Sequence, residues 1–401
     1  MTTLSTGMMR GLLLATSLML SPEAALAQYQ KLLPEPPAGY ASHGFGEAIA
    51  ANERELAVSA PAGDGYVSIY RRSGGQWRLT QHLVSTDTDS YGYRLAMGDS
   101  WLAVANRNTE VTGWPNYIDV YRRAADGWVF DQRLDSPAPG SAGYIHHLAV
   151  SENSLLVGLV RMSGEGDITH RQLYDFRREN GSWVSPHALL PPYSSTQFGK
   201  ALAASSRWLV TSDPLARPGA AYGAVSVFAP VGDEWTHLSL ITSSVGQGAW
   251  FGNAVALCGQ RLAVSTVAIT ASSVPVGWGG RVDIFEGDPS QWSSNRPAPA
   301  VLTQADRWFG RSLACSASTM VIGGDTFRTF YSAPLSEPRV VRTHVLSDPE
   351  AYGNGLTFAV VGGDVIVGDQ LGPVVEGVPR GTGAVYIFAG VGESIFAHGF
   401  E

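Results

Sequence analysis

The sequence predicts an all-β chain closed into a seven-bladed β-propeller, each blade a four-stranded sheet. Three observations carry that expectation. An aromatic residue, in most copies followed by Gly, recurs seven times; an aliphatic segment follows at a near-constant offset; and an alternating segment ending in an aromatic comes next in most copies. Four strand-like pieces repeating about every 53 residues mark blades that cannot bury both faces alone and so stack in a ring. A solenoid of the same units would need capping repeats, and the chain does not show them.

The first two strands, A and B, are read from Phe45-Gly46 with Leu56-Ala57-Val58, Tyr91-Gly92 with Leu102-Ala103-Val104, and Tyr144 with Leu155-Leu156-Val157. They continue with Phe198-Gly199 and Leu209-Val210, Phe251-Gly252 and Leu262-Ala263-Val264, and Phe309-Gly310 and Met320-Val321-Ile322. In these six the aliphatic segment begins at the eleventh residue after the aromatic; in the seventh, Tyr352-Gly353 with Val365-Ile366-Val367, it comes two residues late. Strand C is the alternating piece: Val67-Ser68-Ile69-Tyr70, Ile118-Asp119-Val120-Tyr121, Val225-Ser226-Val227-Phe228, Val282-Asp283-Ile284-Phe285 and Val385-Tyr386-Ile387-Phe388. Leu173-Tyr174-Asp175-Phe176 is a degenerate copy, and residues 327–330 match poorly in the sixth position. Alternation of β-branched and aromatic residues marks half-buried strands. Strand D is led by Trp, with Trp77 and Leu83, Trp128 and Leu134, Trp183 and Leu189, and Trp235 and Ile241 evenly spaced and so expected on one strand face.

The seventh copy has no Trp-led strand after Phe388, while Gln30-Lys31-Leu32 matches Gln81-His82-Leu83 and Gln132-Arg133-Leu134 near the ends of strands D. Residues 29–34 are therefore expected to complete blade seven and close the ring.

Phe-Gly-x-Ala-hydrophobic-Ala, then Leu-x-Val-x-Ala-Pro as in residues 56–61, then Gly-x-Val-x-Ile-aromatic resembles the FG-GAP repeat of integrin-α-like propellers and many bacterial secreted proteins. The resemblance covers residues 29–389 and implies the propeller fold, but not one function. Members often hold calcium in an Asp-x-Asp-x-Asp-Gly hairpin. The A–B turns here, such as Ala51-Asn52-Glu53-Arg54 and Gly98-Asp99-Ser100, lack those three oxygen ligands, so the metal does not carry over and no cofactor is expected. Blade three lacks the Gly, with Ile145 after Tyr144, and blade six lacks good C and D strands; both are expected to be irregular.

Residues 1–27 read as a secretory signal: Arg10, an apolar run over residues 11–20, and Ala25-Leu26-Ala27 as the cleavage site. The propeller is expected over residues 28–389, and residues 390–401 form a C-terminal tail whose Ile395-Phe396 and Gly399-Phe400-Glu401 resemble a short tail of secreted bacterial proteins. No later run is long enough to cross a bilayer as a helix. The expected location is periplasmic or extracellular, as a monomer. Cys258 and Cys315 can form one bridge between adjacent blades or remain two buried thiols. The formal charge of −8, without clustered Lys or Arg, excludes nucleic acid as the expected partner.

No nucleophile elbow, zinc-binding helix or phosphate loop occurs. Asp87-Thr88-Asp89 reads as a solvated turn. His146 and His147 are neighbours in strand A of blade three, so their rings are expected on opposite faces and not on one metal. Tyr70-Arg71-Arg72, Tyr121-Arg122-Arg123 and Phe176-Arg177-Arg178 are expected to form a solvated C–D rim, with an anion-binding arc as the alternative. The B–C and D–A loops share the other face and vary in length, which is where binding residues gather. That face is expected to present Arg107, Trp114, Tyr117, Arg161, Arg217 and Trp278 to a protein or glycan, these being residue types that dominate interfaces. Trp250 and Trp308 stay open between packing and binding. The alternative function is a polysaccharide-active enzyme using two convergent carboxylates from Asp87, Glu110, Asp213, Asp306 and Asp325.

Overall fold

Seven antiparallel sheets follow one another along the chain. In the computed structural model the described residues are 29–390, apart from 42, 86–89, 108–115, 138–142, 164–166, 196, 218–222, 233, 244–248, 269–278, 293–299, 305, 307, 325–327, 339–340, 354–355 and 373–380. The signal region and the tail beyond residue 390 thus lie outside them, as do Trp114, Trp278, Asp87, Glu110 and Asp325. Blade one is Ile49–Ala51, Glu55–Ala60, Tyr66–Ser73 and Gln76–Val84, and blade two Arg94–Met97, Trp101–Ala105, Tyr117–Ala124 and Gly127–Asp135. Blade three is Gly143–Val150, Ser154–Met162 and Ile168–Glu179, with strand D split into Ser182–Trp183 and His187–Leu189. Blade four is Leu202–Ala204, Leu209–Asp213, Ala224–Val231 and Glu234–Thr242; blade five is Ala249–Cys258, Arg261–Ala268, Arg281–Glu286 and Ala300–Thr303. Blade six, expected to be irregular, has all four strands: Leu313–Cys315, Thr319–Gly323, Thr329–Pro334 and Arg342–Val345. Blade seven is Thr357–Val361, Asp364–Asp369, Ala384–Phe388 and the N-terminal Tyr29–Leu32.

Blade seven closes the ring as expected. Tyr29 pairs with Phe388 and Leu32 with Val385, antiparallel. Each strand A touches the next, and that of blade seven touches that of blade one. Lys31 adds ion pairs to Asp348 at 2.7 Å and Glu350 at 2.5 Å.

Strands B and C are buried along most of their length, and the core falls into seven apolar clusters, one at each blade-to-blade interface. This arrangement corrects the reading of strand D. Trp77 packs in the cluster shared with blade seven, whereas Leu83 packs in the one shared with blade two. A register shift between Ile69 and Tyr70 leaves Thr80 as an extra residue between the two anchors, and the same shift recurs at Val120/Tyr121 in blade two. One inserted residue reverses the alternation, so the even spacing puts Trp and Leu on opposite faces.

The aromatic-Gly pair mostly precedes strand A instead of lying in it, because its Gly turns the chain. Gly92 has φ +90°, and a Cβ there would stand 3.0 Å from Ser59 Cβ and 3.1 Å from Val67 Cγ2 of blade one. Only Gly combines that backbone with that approach.

The Tyr-Arg-Arg triplets form an ion-paired belt, which corrects the solvated rim. Arg71 and Arg123, from blades one and two, both bond the fully buried Glu55. Arg72 reaches Asp364 of blade seven at 3.2 Å, and Arg178 reaches Asp131 of blade two at 3.1 Å. These guanidinium groups are neutralised between blades, not free for an anion.

Cys258 and Cys315 form a disulfide, with Cα atoms 5.5 Å apart, joining the inner strands of blades five and six. Reduction should lower stability by about 2–4 kcal/mol, the usual effect of releasing a loop of this kind. Denaturant unfolding with and without reductant measures it, and non-reducing mass spectrometry checks the bond.

Ring closure has its own test. Gln30 Nε2 donates to Trp77 O at 2.7 Å, and Trp77 N–H donates to Gln30 Oε1 at 2.8 Å. Gln30→Ala should cost roughly 1–3 kcal/mol, two neutral hydrogen bonds being lost at a partly buried seam. An unchanged denaturation midpoint would mean that the seam contributes nothing.

Candidate functional site

The strands A sit at the centre of the ring yet are half-exposed, as in Leu202–Ala204, Leu313–Cys315 and most of Gly143–Val150, while the B strands outside them are buried. They line an axial channel. Arg94 pairs with Ala105 and Gly143 with Arg161, so each strand A starts beside the end of strand B, at the B–C and D–A face. The residue after each aromatic-Gly pair therefore stands at that mouth: Glu47, Tyr93, Lys200, Asn253 and Arg311 among the described residues. Blade three supplies His146 and His147.

The two histidines depart from expectation. The register jumps from Ile145 opposite Leu159 to His147 opposite Gly158, which leaves His146 as a bulge. Alternation is lost there, and the rings meet with centroids 4.4 Å apart. The bulge brings together what a regular strand would separate.

Arg94, Arg171 and Lys200 lie close to them, Arg107 reaches the Tyr144 ring, and Arg161 stands opposite Gly143 at the start of the same strand. Arg94 donates to His146 O at 2.8 Å and stacks 4.0 Å from the Tyr93 ring centroid. Arg107 is held between Tyr93 and Tyr144, with its guanidinium carbon 4.8 and 4.6 Å from their centroids. Arg161 donates to Gln172 Oε1 at 2.8 Å, and Arg171 to Gln197 Oε1 at 2.9 Å. No ion pair engages these five cations among the described residues.

The electrostatics follow from that crowding. Burial, reinforced by Arg171 and Arg94, lowers Lys200 to about 8. Burial, with Lys200, Arg94 and Arg171, lowers His147 to about 3, and burial and His147 lower His146 further still. Both rings are neutral at pH 7, each one donor and one acceptor. Glu47 is pushed up by burial, against the pull of Arg94 and Arg107.

One of the predicted residues, Arg107, thus joins this cluster through Tyr93 and Tyr144, while Arg161 stands at the end of strand B beside Gly143, held by Gln172. Arg217 is exposed beside blade four. Tyr117 is turned inward instead: it is buried, its hydroxyl 2.8 Å from that of Ser85 and its ring 3.8 Å from the Arg133 guanidinium. Trp250 and Trp308 are half-buried. Asp213 bonds the Ser195 hydroxyl and accepts from Leu215 N–H, while Asp306 accepts from Trp308 N–H at 3.0 Å and from the Tyr331 hydroxyl at 3.1 Å. Both carboxylates fasten loops. Sequence reasoning missed Lys200, Arg94, Arg171 and Glu47, although the position after each aromatic-Gly pair holds a polar residue or Tyr in every copy that has the Gly. Among the described residues no group of three or more His, Cys, Asp or Glu could hold a metal, and no helix is long and apolar enough to cross a membrane.

No family model matches the chain, and no curated protein matches it. Solved structures do. The chain is a β-propeller by its likeness to the propeller domain of Cps50 (Swd1) from Myceliophteria thermophila, at TM-score 0.52 and 11% identity, covering 90% of this chain and 99% of that one. The Dos1 propeller matches at TM-score 0.45 and 12% identity over 91% and 95%. A prolyl endopeptidase structure matches at TM-score 0.44 and 16% identity over 78% of this chain, which spans only 44% of that protein. At such identities the likeness is one of fold.

Lys200 provides a sign-defined test. Its folded pKa lies below the unfolded value of 10.5, so between pH 8 and 10.5 the unfolded chain binds more protons and stability rises with pH. Below that window the fold carries a confined charge. In oxyanion-free buffer Lys200→Met should therefore raise the melting temperature at pH 7 and flatten the rise above pH 8.

Proposed function

We propose that the chain is an exported, non-catalytic propeller of the FG-GAP type, a binding or scaffold module that engages a protein or glycan through its B–C and D–A face. The observation that carries this reading is the stack of Arg94, Tyr93, Arg107 and Tyr144 at that face. Each ring fixes a guanidinium and each guanidinium fixes a ring, so these side chains have little rotamer freedom left to lose on binding. Rigid aromatic and Arg surfaces stack on sugars and anchor protein contacts. The bridge between Cys258 and Cys315 suits the oxidising compartment to which the N-terminal signal points. The rival reading, a polysaccharide-active enzyme, needs two convergent carboxylates, and Asp213 and Asp306 are already engaged in loop fastening.

A glycan and protein screen on residues 28–401, run beside a hydrolase panel, tests the proposal. Arg107→Ala and Tyr144→Ala should each weaken the ligand found by about 2 kcal/mol or more, roughly thirtyfold, with the melting temperature nearly unchanged. Trp114→Ala and Trp278→Ala are expected to behave the same way. Turnover of a polysaccharide, or affinity untouched by all four substitutions, would overturn the reading.

A further inference from the structure

We infer that the inner wall of the ring, where blades two, three and four meet, is a binding site for a small oxyanion. The site lies at the channel mouth just inside the loop face, next to the Arg94 stack, and its test does not depend on what that face binds. Its ligand is a carboxylate, sulfate or phosphate group, free or carried on a larger molecule.

The donors come from three separate places in the fold and have no protein partner for the groups they present. Arg171, on strand C of blade three, is 9% exposed; its Nε is used by Gln197, while one terminal nitrogen is buried with no hydrogen-bond partner among the described residues. Both ring nitrogens of the bulged His146 are likewise buried and unpartnered. Lys200 enters from the turn before strand A of blade four, where Gly199 packs against blade three. A Cβ on Gly158 would stand 3.3 Å from Gly199 O and 3.4 Å from His147 Cβ, and one on Gly199 3.5 Å from the carbonyl of Gln172, the residue after Arg171.

Buried polar groups left unpaired cost about 1–3 kcal/mol each, more when charged, and natural folds keep few of them. Most of the others in this chain are neutral groups spread over several blades, whereas here three such atoms, one of them on a guanidinium, lie beside cations that no ion pair neutralises among the described residues. Elsewhere this acidic protein joins several of its buried carboxylates to Arg, as at Glu55, Asp119 and Asp283. At the channel wall that pairing stops. The charged group facing the cluster from blade one is Glu47, itself half-buried and with its carboxyl pushed up toward the neutral acid by desolvation. An oxyanion meets all three demands together. It accepts from the Arg171 terminal nitrogen, from Lys200 and from one N–H of the neutral His146, and it supplies the missing negative charge. A halide could offer charge, but as a single atom it spans less of the distance between donors on different strands than a group with several oxygens.

The test uses the chain from residue 28 and the inorganic ions themselves. Sulfate, phosphate and acetate are titrated at pH 7 by calorimetry and thermal unfolding, against chloride at matched ionic strength. At least one oxyanion should bind saturably in the millimolar range or tighter and raise the melting temperature, where chloride does not. The tightest of the three tells whether a carboxylate or a tetrahedral anion is preferred. Arg171→Gln and Lys200→Met should each weaken binding at least tenfold, while Arg78→Ala, on an exposed outer strand, should leave it unchanged. At pH 8 binding should take up protons, seen as heats that depend on the buffer, because the anion favours charged Lys200 against Arg94, Arg171 and the two histidines. If Arg171→Gln fails to fold, Lys200→Met carries the test. A melting temperature that rises without saturation and equally in all variants, as general salt exclusion produces, would overturn the inference. So would saturable binding that both substitutions leave intact.

Discussion

The whole ring depends on how closely one blade's entry turn can lie against the blade before it. Gly383, ahead of strand C in blade seven, sits directly beneath the backbone of Phe45 in blade one, and a Cβ there would overlap the Phe45 carbonyl oxygen. Gly65 under Tyr91, Gly223 under Phe251 and Gly280 under Phe309 repeat the contact. Close-packed interiors transmit such a constraint: with the backbones in contact, the aromatic drops into the interface and the aliphatic B and C strands mesh around it. Among the described residues this fit recurs at four of the seven joints, the seam among them, and the seam shares a second interaction with the two joints that follow it. Gln30 with Trp77, Gln81 with Trp128 and Gln132 with Trp183 form one reciprocal hydrogen-bond pair at successive joints, the first of them tying the N-terminal strand across the closure.

Much of this was legible because propeller blades are local. Strands B and C are recognised from alternation, and closure from the likeness of Gln30-Lys31-Leu32 to later segments, which proved to be a likeness of hydrogen bonding as well as of pattern. What misled were single inserted residues. Thr80 is invisible to a spacing rule, yet it sends Trp77 and Leu83 to different interfaces; His146 does the same to its neighbour. Bulges are set by the partner strand, and spacing along one chain carries no record of the partner. Blade six was misjudged for another reason. Its strand C, Thr329–Pro334, keeps Phe330 and Tyr331 in the core but has Phe330 and Ala333 at the register positions that Val67 and Tyr70 hold in blade one, so packing overrides a weak local pattern.

The candidate site was half legible for a related reason. Arg107 and Arg161 belong to loop ends, where variable polar residues attract notice. Lys200 and Arg94 sit inside the repeat itself and look like surface substitutions within a structural motif. Their meaning comes from the ring, which turns the residue after each Gly toward a common axis. Glu47, Tyr93, Lys200, Asn253 and Arg311 are far apart in sequence and share one mouth only because the circle closes.

That geometry also explains how the fold tolerates the site. Cations crowded without counter-ions are destabilising, as the lowered titration points of Lys200 and His147 register. The cost falls on the inner strands, which contribute least to the interface clusters: Leu202–Ala204 is half-exposed along its length, whereas Leu209–Asp213 beside it is wholly buried. Between blades the opposite rule holds, and Arg71, Arg123, Arg133 and Arg281 each meet a buried carboxylate. A protein of net charge −8 has carboxylates to spare for the axis. Placing them between blades and leaving the axis cationic separates the interactions that hold the ring from those free to meet a ligand.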